Sequence, residues 1–214
     1  SFTAGTGVSN NQRYTNLVED KDLEIFNFSV PGTGTDQQYL IFKKYYKQIE
    51  FDHIILSFMA ENIRRVKSEY RLFKDDKGQT HYYQKPYFKL VDGKLNLFAC
   101  PPIKNALSLN DLSHISSRTI DKGARYPFLS KFATKLNLKE LALKFLPYQP
   151  FPEYEKKNLN VWDILEKILI NWKNELNDNF SIFVIPPYQY VEEFSNSNYF
   201  IKRFSELETN HKMK

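Results

Sequence analysis

Residues 23–47 read LEIFNFSVPGTGTDQQYLIFKKYYK, and this stretch contains the pattern that decides the fold. Residues 23–30 form a short apolar run preceded by charged residues, which predicts a buried strand. The pair Pro31-Gly32 ends that run, and residues 35–47 then carry apolar side chains at helical spacing. A strand followed by a turn and a helix is the repeating unit of a parallel sheet that is covered by helices.

The same unit recurs along the chain. Residues 53–58 (HIILSF) and 180–185 (FSIFVI) predict two more buried strands, and residues 61–70 predict a helix. Residues 159–176 place four apolar side chains on one helical face, which predicts a core helix, and a last helix is expected over residues 199–207. The four are Trp162, Leu165, Leu169 and Trp172. The order of these elements predicts an α/β fold with a parallel sheet.

The middle of the chain departs from this alternation. Residues 82–98 predict a hairpin that turns at Asp92-Gly93, and residues 103–145 are mostly helical in pattern. A loop rich in proline and aromatic residues follows at 148–154. We therefore predict one domain over residues 1–214 with a mostly helical insertion at about 73–155.

Composition excludes several functional classes. The net charge is +5, but the lysines are dispersed among acidic residues, so nucleic-acid binding is not expected. Cys100 is the single cysteine, which rules out an internal disulfide, and no metal-ligand spacing appears, so no metal or cofactor is expected. No apolar run approaches the length of about 18 residues that a membrane-spanning helix needs.

Ligands of open parallel sheets bind beyond the carboxyl ends of the strands, so the residues that follow each strand are the candidates for function. Gly32 follows the first predicted strand, and Asn62 follows the second. The chain begins Ser1-Phe2-Thr3-Ala4-Gly5 with no methionine. If Ser1 follows a strand that precedes this sequence, it belongs to the same row of residues.

These residues carry a resemblance to the SGNH (GDSL-like) hydrolases, a family of serine esterases. The start at Ser1 is similar to the continuation of the family's Gly-Asp-Ser block, residues 27–34 (NFSVPGTG) resemble its second block, and Asn62 falls at its third. The resemblance implies a flavodoxin-like three-layer sandwich, with the first strand and the C-terminal catalytic segment missing from this sequence. It also implies no cofactor, and an ester of a small molecule or a carbohydrate as substrate.

The resemblance gives each residue a chemical role. Ser1 is expected to attack the ester carbonyl, while the backbone N–H of Gly32 and the side-chain amide of Asn62 stabilise the tetrahedral oxyanion. We expect the Ser1 hydroxyl within about 5 Å of one of those two donors. Because the base is expected outside this sequence, the 214-residue chain alone is expected to hydrolyse esters poorly.

Each candidate also has a structural alternative. Gly32 can be a turn glycine, Asn62 a helix N-cap, and Ser1 an arbitrary position in a longer chain. Arg64 and Arg65 are expected on a solvated helix face, with recognition of an anionic substrate as the functional alternative.

The four histidines are interpreted as residues outside this site. Residues 111–114 (DLSH) match the family's Asp-x-x-His in residue type but not in position along the chain. His114 and His211 are both interpreted as surface residues. His53 is expected to be structural, and His81 is expected in a solvated loop.

Three other functions are open at this level. An acyltransferase uses the same acyl-enzyme with a sugar hydroxyl in place of water. An N-terminal-nucleophile amidohydrolase would use the Ser1 amino group as its base, although that class is built on antiparallel sheets. A non-catalytic interaction module on the same scaffold is favoured by Glu61 and Ile63, which flank Asn62 where the family carries other residues.

Overall fold

The computed structural model of the protein describes residues 3–18, 22–107, 149–155, 159–191 and 195–213. In chain order the helices are α1 (Tyr14–Leu17), α2 (Thr35–Tyr45), α3 (Asn62–Lys67), α4 (Leu159–Leu176), α5 (Tyr188–Val191) and α6 (Asn198–His211). The strands are β1 (Ile54–Met59), β2 (Tyr70–Lys74), β3 (Thr80–Gln84), β4 (Tyr87–Val91), β5 (Lys94–Phe98) and β6 (Phe180–Ile185). Single 3-10 turns lie at Asn10–Gln12, Tyr46–Gln48 and Pro152–Tyr154.

A short parallel sheet lies at the centre of the fold. β1 and β6 pair in parallel register from Ile54 opposite Phe180 to Met59 opposite Ile185. Both strands are short runs of β-branched and aromatic residues, as buried strands require. The prediction of a mixed α/β fold with parallel pairing is confirmed by this pair.

The core lies between this sheet and the helices. α4 buries Trp162, Leu165, Leu169 and Trp172, which is the stripe that the sequence predicted. The ring of Trp172 lies 5.1 Å from that of Phe42 in α2, measured between centroids. Full burial of one such side chain contributes about 1.5–3 kcal/mol, so α4 is the main support of the sheet.

The other face of the parallel pair is only partly covered. The side chain of Ile55 is 64% exposed and that of Phe183 is 55% exposed, whereas Leu56 and Phe58 are buried. Successive side chains of a strand point to opposite faces, so the exposed residues share one face and the core lies against the other. A third layer over this face is therefore not seen in the described residues.

The prediction of a strand at residues 23–30 is wrong for the described residues. Residues 24–30 belong to no strand, and Phe26, Phe28 and Val30 are about half exposed. The intervening positions are partly buried, so the segment keeps the two-residue alternation of an extended chain. An apolar run encodes extended backbone, but a strand also needs a partner whose N–H and C=O groups face its own.

The insertion begins differently from the prediction. β4 and β5 form the expected hairpin, and both turn residues, Asp92 and Gly93, have positive φ. Residues 80–84 belong instead to a second hairpin, β2–β3, which the sequence did not predict. The described part of the insertion up to residue 107 is therefore built from strands, and most of the predicted helical part, residues 108–148, lies outside the described residues.

The helices α2, α3 and α6 follow the sequence with shifted ends, whereas the short helices α1 and α5 are not predicted by it. α3 stops at Lys67 because Tyr70 starts β2, and α6 extends to His211, beyond the predicted end. Phe204 of α6 packs on Phe58 of β1 with ring centroids 5.0 Å apart. Both helices thus contribute to the core side of the sheet.

Candidate functional site

The loop at residues 31–34 connects the extended segment to α2. Gly32 has φ of +75°, a left-handed conformation that glycine adopts without strain. The backbone N–H of Thr33 donates to the carbonyl of Val30 at 3.4 Å, and Gly34 donates to the Gln37 side chain at 3.3 Å. These bonds fix the loop as a turn that leads directly into the first residues of α2.

α3 holds this loop from the side. Arg65 donates from Nη1 to the carbonyl of Thr33 at 3.2 Å and forms an ion pair with Glu61. A Cβ on Gly34 would lie 2.9 Å from the Cβ of Arg65, so the loop and the helix are in close contact. The prediction that Arg65 lies on a solvated face is therefore wrong, because its side chain is committed to this junction.

Asn62 is the first residue of α3, one helical turn before Arg65. Residues three apart on a helix are neighbours on one face, so Asn62 lies on the face that approaches the Gly32 loop. The residue is 3% exposed. The contacts of Arg65 thus connect α3, which begins with Asn62 after the carboxyl end of β1, to the loop of Gly32.

Ser1 lies outside the described residues, and the chain is described from Thr3. The carbonyl of Thr3 accepts a hydrogen bond from Asn27 Nδ2 at 2.7 Å, and its Oγ1 accepts one from the Tyr14 hydroxyl at 3.0 Å. That hydroxyl also lies 3.1 Å from Ser57 Oγ in β1. The N-terminal segment is therefore held beside β1 and the extended segment that leads to Gly32.

Arg71 belongs to the same junction, although the sequence did not single it out. Its guanidinium comes from β2 and covers Gly32, since a Cβ on that glycine would lie 2.7 Å from Nη2 and 2.9 Å from Nη1. Glycine leaves room for the guanidinium in this position, and a larger residue would require the end of the Arg71 side chain to shift. The signal in the sequence would have been a basic residue on a strand that follows Asn62 closely, but the sequence pattern did not predict the strand β2, and the helix predicted over residues 61–70 overlaps its first residue.

A buried ion pair lies behind the loop. Asp36 in the first turn of α2 and Lys85, just after β3, bond through Oδ2 and Nζ, and their side chains are 0% and 3% exposed. Burial raises the pKa of Asp36, and the positive charge of Lys85 opposes the rise. The pair fixes the start of α2, and hence the loop before it, against the β2–β3 hairpin.

Arg64 also has a structural role. It donates from Nε to Glu153 at 3.0 Å and from Nη2 to the carbonyl of Pro150 at 2.7 Å. The expectation of a solvated face is wrong for this residue as well. Its partners belong to the predicted proline-aromatic loop, in which Phe151 and Tyr154 are buried, so the described part of that loop packs into the core.

The histidines of the described residues are engaged away from this junction. His53 lies at the amino end of β1, where Nε2 is 2.9 Å from Ser181 Oγ. His81 is in β3 rather than in a loop, and its Nε2 lies 2.8 Å from Asp75 Oδ2, a bond that lowers the pKa of Asp75. His211 ends α6. His114 lies outside the described residues.

Among the described residues, no group of three or more histidine, cysteine, aspartate or glutamate side chains lies close enough together to hold a metal ion. None of the helices described is both long and apolar enough to cross a membrane.

Comparisons with protein-family models, with curated proteins and with solved structures found no match for this chain.

Proposed function

We propose that the protein is a serine hydrolase of the SGNH type that cleaves carboxylic esters. Ser1 is the nucleophile, and Gly32 and Asn62 provide the oxyanion donors. The substrate is an O-acyl or O-acetyl ester of a carbohydrate or another small molecule.

The observation that carries this proposal is the position of Asn62. It is a buried polar residue at the first position of α3, just after the carboxyl end of β1, and α3 contacts the Gly32 loop through Arg65. A side-chain amide in such a position can donate to the oxyanion that forms during ester hydrolysis. The contact of Arg65 with the carbonyl of Thr33, the residue after Gly32, supports the Gly32 N–H as the second donor.

The role of Ser1 is supported by the resemblance of residues 1–5 to the continuation of the family's Gly-Asp-Ser block. Residues 27–34, which resemble the family's second block, carry the Gly32 that the proposal pairs with it.

The chemistry proceeds in two steps at this junction. The Ser1 oxygen bonds to the ester carbonyl carbon while its proton passes to a base, and the carbonyl oxygen becomes the oxyanion that Gly32 and Asn62 bind. The C–O bond to the alcohol then breaks, and the alcohol takes the proton. Water attacks the acyl-enzyme, releases the acid and restores the serine. The base is proposed to come from residues other than the described histidines.

A flavodoxin-like sheet order is part of the proposal. In that order another strand lies between the extended segment at 24–30 and β1. A segment beside the position of that strand is expected to alternate in burial, and residues 24–30 do so, with Phe26 and Phe28 exposed. The partly covered face at Ile55 and Phe183 fits a three-layer sandwich that is incomplete in the described residues.

Asn62→Ala tests the oxyanion role. In the protein expressed from its own gene, the substitution is expected to lower kcat for 4-nitrophenyl acetate by about 100- to 1,000-fold, because one donor is lost. The matched control is Asn96→Ala, which removes an exposed amide in β5 that bonds only locally to Lys94. Equal kcat values for the two variants, with both folded by circular dichroism, would contradict the assignment.

Gly32→Ala tests the second donor and separates function from folding. Its matched control is Gly93→Ala, since Gly93 has φ of +71° and an added Cβ there meets nothing within 4 Å. Both variants are expected to lose about 1–2 kcal/mol of stability to the left-handed backbone, because the Arg71 guanidinium can move aside. Only Gly32→Ala is expected to lower kcat, by about 100-fold. Urea denaturation and ester hydrolysis measured on both variants check this result.

A further inference from the structure

The side chain of Arg65 connects α3 to the loop that carries Gly32. Its Nη1 donates to the carbonyl oxygen of Thr33 at 3.2 Å, and its Nη2 forms an ion pair with Glu61, one helical turn earlier. The two elements also touch directly, since a Cβ on Gly34 would lie 2.9 Å from the Cβ of Arg65. One residue of α3 therefore holds the loop both by a hydrogen bond and by close packing.

The hydrogen bond from Arg65 reaches the loop from another element of the fold. The bonds that Thr33 itself donates are local, since its N–H and its hydroxyl both bond to the carbonyl of Val30, at 3.4 and 2.8 Å. Local bonds shape a turn, but they do not fix its direction relative to a neighbouring helix. Gly32 has a permissive backbone, so the direction of its N–H depends on contacts such as that of Arg65.

Glu61 fixes the orientation of the Arg65 guanidinium. The two side chains are 19% and 31% exposed, so their ion pair is partly shielded from water. A guanidinium is planar and rigid, and a carboxylate on one of its nitrogens sets the direction of the others. The bond to Thr33 is also charge-assisted, which makes it stronger than a bond between neutral groups. Glu61 and Arg65 therefore act on the loop as one unit.

We propose that Arg65 is a positioning residue, which keeps the Gly32 N–H directed at the oxyanion by holding the carbonyl of Thr33. Glu61 assists by fixing the guanidinium. Arg65 contacts neither the substrate nor the reacting atoms in this mechanism and acts only through the loop. This inference rests on the proposed function for the reaction, but the hold of Arg65 on the loop is measurable without catalysis.

The kinetic test uses the protein expressed from its own gene and 4-nitrophenyl acetate. Arg65→Met is expected to lower kcat by about 10- to 100-fold and to leave KM nearly unchanged, because misplacement of a donor by about 1 Å removes stabilisation of the transition state. In a Gly32→Ala background the same substitution is expected to lower kcat by less than about 3-fold, since the donor that Arg65 positions is already impaired. Equal effects in the two backgrounds would overturn the inference.

Arg64→Met is the matched control. Arg64 precedes Arg65 in α3, and the two side chains are 17% and 19% exposed. Arg64 also pairs with a glutamate, Glu153, and donates to a backbone carbonyl, that of Pro150, so it holds a different loop in the same way. The two variants are expected to lose similar stability in urea, but Arg64→Met is expected to keep its kcat. An equal loss of kcat in both would show a general effect on α3 and refute the positioning role.

Glu61→Gln carries the test if Arg65→Met does not fold. It keeps the shape of the side chain and removes the charge that orients the guanidinium. Its kcat is expected to fall by about 2- to 5-fold, because a partly exposed ion pair contributes little. Glu153→Gln, the corresponding change at the other arginine, is its control and is expected to keep its kcat. Equal kcat values for these two variants would contradict the inference.

Amide hydrogen exchange separates this inference from the proposed function. In a peptide covering residues 31–38, exchange is expected to be about 10- to 100-fold faster in Arg65→Met and unchanged in Arg64→Met, because only the former frees the loop. Faster exchange without hydrolysis of any ester would support the hold of Arg65 on the loop and refute the hydrolase proposal. Unchanged exchange in Arg65→Met would refute the positioning role, even if the protein hydrolyses esters.

Discussion

Lys85→Met is expected to lower the free energy of unfolding by about 3–5 kcal/mol at pH 7. The substitution keeps the length of the side chain but leaves the carboxylate of Asp36 without its cation. Because the Asp36 side chain is 0% exposed, water cannot replace the lost partner. Chemical denaturation of the variant and of the unsubstituted protein measures the difference.

Lys89→Met is the matched control. Lys89 lies four residues further along the same insertion and pairs with Glu69 at 2.9 Å, but half of its side chain is exposed. An ion pair of that kind contributes about 0–1 kcal/mol, so its loss is expected to be small. Similar losses in the two variants would show that Asp36 and Lys85 are not buried together.

The effect of Lys85→Met is expected to depend on pH. Burial already raises the pKa of Asp36 above its ordinary 3.8, and removing Lys85 takes away the charge that opposes the rise. A carboxyl with a raised pKa in the folded state favours folding below its unfolded pKa, and that contribution is lost as the pH rises through the folded value. The loss in free energy of unfolding that Lys85→Met causes is therefore expected to be small near pH 4 and to reach its full size at neutral pH.

Ser1→Ala is expected to abolish ester hydrolysis by the protein expressed from its own gene. Removal of the nucleophile of a serine hydrolase lowers kcat by about a million-fold. The variant is expected to keep its stability, because Ser1 is the position whose role is chemical rather than structural in this account. Hydrolysis of 4-nitrophenyl acetate and thermal unfolding measured on the same preparation check both statements.

Ser181→Ala is the control for a serine at the opposite end of the sheet. It removes the hydroxyl that bonds to His53 near the amino ends of β1 and β6. This variant is expected to retain full kcat. A loss of activity in Ser181→Ala together with full activity in Ser1→Ala would place the catalytic serine at the amino ends of β1 and β6. That result would contradict the assignment of Ser1 as the nucleophile.

The parts of the fold that the sequence predicted depend on local periodicity. A regular set of apolar side chains is buried by each of three elements, the strands at 54–59 and 180–185 and the helix at 159–176. The turn at Asp92-Gly93 is favoured by the backbone preference of its own two residues, which both have positive φ. These signals are contained within one element. They do not depend on which distant segment becomes the neighbour.

The fold predictions that were wrong depend on which distant segment of the chain becomes the neighbour. Residues 24–30 have the composition of a strand, but only the folded chain shows whether a partner lies beside them. The β2–β3 hairpin mixes polar and aromatic residues, which obscures its alternation, and the helix predicted over residues 61–70 overlaps the first residue of β2.

The candidate site shows the same limit. Gly32 and Asn62 could be singled out because each follows a predicted strand or turn and matches a family block. Arg71 and Lys85 could not, because their roles come from partners that are remote in sequence, with Lys85 lying 49 residues from Asp36. A lysine within the aromatic stretch at residues 82–88 was the one local sign that a buried charge needed a partner.

The most direct test of the proposed mechanism is covalent labelling of the protein expressed from its own gene. An activated serine oxygen attacks the phosphorus of a fluorophosphonate, its proton passes to the base and fluoride leaves. The stable Ser–O–P bond that results is located by intact-mass spectrometry and peptide mapping. The mechanism predicts one adduct, on the peptide that contains Ser1, and none in the Ser1→Ala variant. Absence of any adduct, or an adduct that persists in Ser1→Ala, would contradict the assignment of Ser1 as the nucleophile.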